Sequence, residues 1–76
     1  MTRVRLGSSM IASAGYDSAN RVLEIEFATG AVYHYVDVPL DVYQELLDAA
    51  SQGRFFHNRI RGVFDCHRVT DEVSAQ

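Results

Sequence analysis

The chain predicts an α+β fold: a three-stranded antiparallel β-meander followed by two helices packed on one face, in the order β-β-β-α-α. Three observations predict it. Apolar and acidic residues alternate through Leu23-Glu24-Ile25-Glu26-Phe27, the period-two pattern of a strand with one buried face. After Gly30 comes the β-branched and aromatic run Val32-Tyr33-His34-Tyr35-Val36, which completes a hairpin. Beyond Pro39, the residues Tyr43, Leu46, Leu47 and Ala50 recur at helical spacing, with Val42 widening the stripe.

Ser9 to Tyr16 reads as the first strand. Asp17-Ser18-Ala19-Asn20 is then a turn, rich in side chains that hydrogen-bond their own backbone. The loop between the second and third strands sets their register. A two-residue loop, Thr29-Gly30, needs positive φ at both positions, which a β-branched threonine resists. A three-residue loop, Ala28-Thr29-Gly30, forms a type I turn closed by glycine in the left-handed region and strains nothing. It sets Ile25 opposite Tyr33 and Leu23 opposite Tyr35, so both tyrosines face the core as structural rings whose hydroxyls could still reach the rim of the sheet. A loop one residue shorter would turn both rings to the side of Glu24 and Glu26.

Pro39 suits the first turn of the first helix, and Asp37 or Asp41 complements its positive end. Gly53 suits its stop. A second, shorter helix is expected from Arg54 to about Arg61, with Phe56 and Ile60 inward and Gly62 ending it. Val63-Phe64-Asp65-Cys66 fits either a closing strand or an extended tail. Residues 1–69 are expected to form one domain, with 70–76 as a flexible C-terminal tail.

At 76 residues the chain lies near the lower limit for a self-sufficient core, which leaves self-association open. Cys66 has no second cysteine to pair with. No apolar run resembles a signal peptide or a membrane span, so the expectation is a cytoplasmic protein with no membrane partner. All seven basic residues are arginine, the side chain suited to bidentate contacts with phosphate or carboxylate, although a GC-rich coding bias gives the same composition. Their distribution is uneven. Residues 17–48 hold seven carboxylates against Arg21, whereas residues 54–68 hold Arg54, Arg59, Arg61 and Arg68 against Asp65. A net charge of −3 argues against a general polyanion binder, while a local arginine patch can still hold a specific site.

Ser8-Ser9-Met10-Ile11, Gly15-Tyr16-Asp17, Leu23-Glu24-Ile25-Glu26-Phe27, Gly30, Tyr33-His34-Tyr35, Val38-Pro39 and Phe55-Phe56-His57-Asn58-Arg59-Ile60-Arg61, in that order, resemble the KTSC domain. The resemblance covers roughly residues 3 to 64. Its hallmark, Tyr-x-Tyr, falls on Tyr33 and Tyr35. That family takes its name from a C-terminal domain of some lysyl-tRNA synthetases and also occurs as short single-domain proteins in bacteria and phages. The resemblance implies an RNA-related role without defined catalytic residues.

The residues themselves offer one concentrated positive surface. Arg54, Asn58 and Arg61 follow i, i+4, i+7 spacing and share a helix face, with His57 and Arg59 beside them. With Tyr33 and Tyr35 stacking on unpaired bases, these groups would make a nucleic-acid surface. The competing arrangement packs the tyrosines under the Tyr43-Leu46-Leu47 stripe and leaves the arginines as a solvated face. The same face fits an acidic protein surface or the acidic region of a second copy, as a homo-oligomer would. Metal binding is not expected: adjacent Cys66-His67 does not match zinc spacings, and His34 and His57 stand on other elements. Nor is a cofactor, since no phosphate-cradling glycine loop is present. Glu24 and Glu26 share a strand face about 7 Å apart, and exposed acids are their simpler explanation. The sequence therefore predicts a small non-enzymatic binding module, for RNA first, and for protein interaction or self-assembly second.

Overall fold

The alternating segment becomes the central strand of a five-stranded antiparallel sheet in the computed structural model, which describes residues 2–69. The elements are β1 (Arg3–Arg5), β2 (Ile11–Asp17), β3 (Val22–Phe27), β4 (Val32–Tyr35), α1 (Leu40–Asp48), α2 (Gln52–Arg59) and β5 (Cys66–Val69), and the strands lie side by side in chain order. The α+β class holds, with two strands more than expected.

The hairpin register is the one that the three-residue loop requires. Leu23 pairs with Tyr35 and Ile25 with Tyr33. Phe27 N–H donates to the Ala31 carbonyl at 2.8 Å, and Gly30, at φ +96°, donates to the Phe27 carbonyl at 2.9 Å. On the inner face Leu23 and Ile25 are fully buried beside Ile11 and Ala14 of β2, and Leu46, Phe56 and Ile60 from the helical side complete the core. Ile11 and Ala14 are three residues apart, yet both face inward. A register shift between Ile11 and Ser13 supplies the odd residue that makes this possible. Asp17 closes the β2–β3 turn by accepting from the Ala19 and Asn20 N–H groups and the Asn20 side chain, which also lowers the Asp17 carboxyl below its usual range.

Four details correct the sequence reading. The N-terminal segment, read without structure, is β1, and its three residues are all exposed. An edge strand held by backbone pairing to β2 carries no hydrophobic alternation to detect. The closing strand is Cys66–Val69 instead of the stretch starting at Val63; residues 60–64 turn through Gly62, at φ +76°, before Asp65 accepts from Val36 N–H and leads into β5. Pro39 caps α1 from outside instead of lying in its first turn. Gly53 does not stop α1. That helix ends at Asp48, and Gly53 sits in the first turn of α2, where the Ser51 hydroxyl accepts from Arg54 N–H. A Cβ at Gly53 would lie 3.5 Å from both the Met10 and Ser8 side chains, so this glycine serves a close approach to the β1–β2 loop. The expected tail, 70–76, lies outside the described residues. Among those described, no helix is long and apolar enough to cross a membrane.

Candidate functional site

Where α2 ends, the rings of Phe27, Tyr33, Tyr35 and Phe56 are left around an open cleft of about 410 Å³. They hold one another edge to face: Phe27 lies 5.7 Å from Tyr33 and 5.3 Å from Phe56, and Tyr35 lies 5.6 Å from Phe56, all with steep interplanar angles. Such contacts set ring positions beyond what area burial alone would do. Met10, Thr29 and Ala31 also line it, as do Arg61, Gly62 and the exposed Cys66. Arg61 is placed there by the end of α2. Its N–H, like that of Ile60, returns to the Phe56 carbonyl, and the chain then turns at Gly62.

Tyr35 is 5% exposed, and the surface it retains lines this cleft. Its hydroxyl meets no nitrogen or oxygen of the described residues at hydrogen-bonding distance. Burial, with smaller contributions from the neighbouring Cys66 thiol and from Tyr33, pushes it up to about 12, against a slight opposing pull from Arg61. Tyr33 is half-buried beside it, the two rings tilted at 6.5 Å. Tyr16 and Tyr43, stacked at 5.3 Å, belong to the other end of the inner face. There the Tyr16 hydroxyl donates to the Val38 carbonyl, and burial raises Tyr43.

The structure thus brings together Tyr33, Tyr35 and Arg61. It distributes the rest of the predicted set along the exposed side of α2: Arg54, His57 and Asn58 face solvent. Arg59 turns away from the cleft, 3.3 Å from Glu45 of α1, with its guanidinium 5.2 Å from the centre of the Phe55 ring. Both groups of that ion pair are about half exposed, so it adds little stability.

The KTSC domain model matches residues 7–64. The chain belongs to the KTSC domain family. An uncharacterised protein of Stutzerimonas stutzeri is 51% identical over 57 residues, which span 75% of this chain and 80% of that protein. The crystal structure of a KTSC domain protein from Yersinia pestis superposes with a TM-score of 0.88 at 42% identity, covering 91% of this chain and 97% of that one. A lysine–tRNA ligase of Trichormus variabilis is 45% identical over 62 residues, which span 82% of this chain but 11% of the ligase.

Three parts of this KTSC domain escaped sequence reasoning. Met10 reaches the cleft from the loop before β2, a distance of seventeen residues from Phe27 that only the sheet pairing closes. Cys66 is exposed beside the cleft; its register opposite Tyr35 is visible only once β5 is known. The outer face of the sheet carries an ion network. Glu24, 16% exposed in its side chain, accepts from Arg3 Nε at 3.0 Å and meets His34 Nε2 at 3.0 Å. Glu26 accepts from the Ser13 hydroxyl at 2.8 Å and pairs with Arg3 at 3.3 Å. His34 and His67 face each other across β4 and β5, yet among the described residues no three histidine, cysteine or carboxylate side chains gather closely enough to hold a metal.

Proposed function

We propose that this KTSC domain is a non-enzymatic module for unpaired RNA, with the aromatic cleft as its contact surface. The observation that carries the reading is the convergence of both motif tyrosines with Arg61 on one open, apolar-lined recess. Rings supply base contacts, and a guanidinium at the rim supplies a phosphate contact. Arg54, His57 and Asn58, on the solvent side of the adjoining helix, extend the positive surface. Similar segments in proteins named lysine–tRNA ligase support the same class of partner. With a net charge of −3, binding has to come from a local patch and is correspondingly sensitive to salt.

Fluorescence anisotropy with labelled single-stranded RNA and with a tRNA transcript, at low and near-physiological salt, tests this. The expectation is salt-dependent binding that Arg61→Ala weakens and Arg59→Ala, already engaged with Glu45, changes little. No binding at low salt, or equal losses from both variants, overturns it. Self-association is the second reading, favoured by one observation: strands β1 and β5 border the sheet, and each pairs with one neighbour among the described residues. Sedimentation showing a salt-independent monomer would remove it.

A further inference from the structure

The RNA reading does not say how much of a strand the cleft takes. The geometry points to one unit: we infer that the cleft accepts a single unstacked base, with the Tyr35 hydroxyl bonded to its edge and Arg61 on the adjoining phosphate. This rests on the RNA reading and narrows it.

Size is the first argument. About 410 Å³ falls near the low end of the range for small-ligand sites, room for one planar heterocycle with part of its sugar and not for a run of stacked bases. The walls are the second. Phe27, Tyr33, Tyr35 and Phe56 present an apolar, ring-lined surface, and Met10, which also lines it, is a side chain that adapts to a flat partner. The third is Tyr35 itself. Its ring is almost wholly buried, while its hydroxyl neighbours the Cys66 thiol and keeps some accessible surface, so a base edge would replace a weak sulfur contact or solvent there. Tyr35 lines the cleft, where a base carbonyl or ring nitrogen would accept its proton. An aliphatic or purely apolar occupant would offer that hydroxyl no stronger acceptor than the thiol. Charge is the fourth. The arginine-rich segment 54–68 borders the recess, and Arg61 stands at its mouth, so the occupant should carry a negative group just outside the flat portion.

The test uses the full chain and a short RNA with 2-aminopurine at one position, followed by its fluorescence, with uridine and adenosine monophosphates and inorganic phosphate as competitors. The expected result is a change in 2-aminopurine emission on binding and displacement by the nucleotides but not by phosphate at equal concentration. Tyr35→Phe is expected to weaken binding by about 3- to 10-fold, the range for one neutral hydrogen bond, and bound RNA should slow alkylation of Cys66 by N-ethylmaleimide. Tyr35→Phe keeps the ring, and circular dichroism checks that it folds. If RNA binds through Arg61 while 2-aminopurine emission, Cys66 alkylation and the Tyr35→Phe affinity all stay unchanged, the single-base inference falls and the RNA reading survives. Competition by phosphate as strong as by nucleotides, or displacement by an acidic peptide alone, likewise overturns the inference. If neither RNA nor mononucleotide binds at low salt, both fall together.

Discussion

Removing the Tyr35 hydroxyl should flatten the alkaline side of the stability curve. Burial holds this phenol up to about 12, from an ordinary 10.0, so the folded chain keeps a proton that the unfolded chain releases. For a group raised in the folded state, the stabilising contribution is complete below the unfolded value. It is lost as the pH climbs through the folded one, here between about pH 10 and 12. One pKa unit corresponds to about 1.4 kcal/mol, so the shift sets an upper limit of about 2.7 kcal/mol. Because the ring borders an open cleft, solvent screens part of this, and a loss of about 1–2 kcal/mol is the working expectation. Burial also raises Tyr43, so the wild type carries a second slope of the same sign. The difference between wild type and Tyr35→Phe isolates the first. Urea unfolding followed by circular dichroism at pH 8, 9, 10 and 11 measures it. At pH 8 the two proteins should be nearly equal, since the hydroxyl bonds to no nitrogen or oxygen of the described residues. Their curves should then separate, the variant becoming the more stable. Parallel curves from pH 8 to 11 would show that the ring is not held as described.

Two further perturbations probe the register and the outer face. Gly30→Ala has open space for its Cβ but places an L side chain at φ +96°, so its cost is conformational alone, about 1–2 kcal/mol. For a domain of this size that amounts to a fall in Tm of roughly 4–16 °C by calorimetry, and an unchanged Tm would contradict the loop geometry. Glu24→Gln keeps the shape but removes the charge that joins Arg3 to His34, and should cost about 1 kcal/mol while speeding amide exchange in residues 3–5. Uniform exchange rates in both proteins would show that the network does not hold β1 in place.

The parts of the fold legible in the sequence are those where side chains decide. Alternation through residues 23–27 and the steric refusal of Thr29 to take positive φ together set the hairpin register and, with it, the inward turn of Tyr33 and Tyr35. What escaped is what backbone pairing decides. Arg3-Val4-Arg5 and Cys66-His67-Arg68-Val69 have no buried stripe because they border the sheet, and their position depends on neighbours far away in sequence. The helix boundary failed for a related reason. Gly53 looks like a terminator, but Ser51 restarts a helix there, and Met10 and Ser8 need the missing Cβ. The candidate site was half legible. Tyr33, Tyr35 and Arg61 belonged to the residues singled out, and Gly62 reads from the sequence as the end of the second helix, yet their meeting also depends on β5, which a periodicity argument cannot place.

The two faces of the sheet narrow where binding can occur. The inner face is consumed by the core along most of its length, and Tyr16, Tyr43 and the fully buried Leu46 close its far end. On the outer face the charges satisfy one another: Arg3, Ser13, Glu24, Glu26 and His34 form one connected set, so a polyanion laid there would compete with Glu24 and Glu26 for the same guanidinium. Arg59 is likewise engaged with Glu45 and Phe55. The cleft edge beside the end of α2 differs from those surfaces. There a nearly buried phenol borders open space, and Arg61 stands beside it on the turn that the Phe56 carbonyl ties to the end of α2. A domain with so small a core has little apolar surface to spare. Phe27 and Tyr33, half-buried at that edge beside the buried Tyr35 and Phe56, are the aromatic surface on which the proposed function rests.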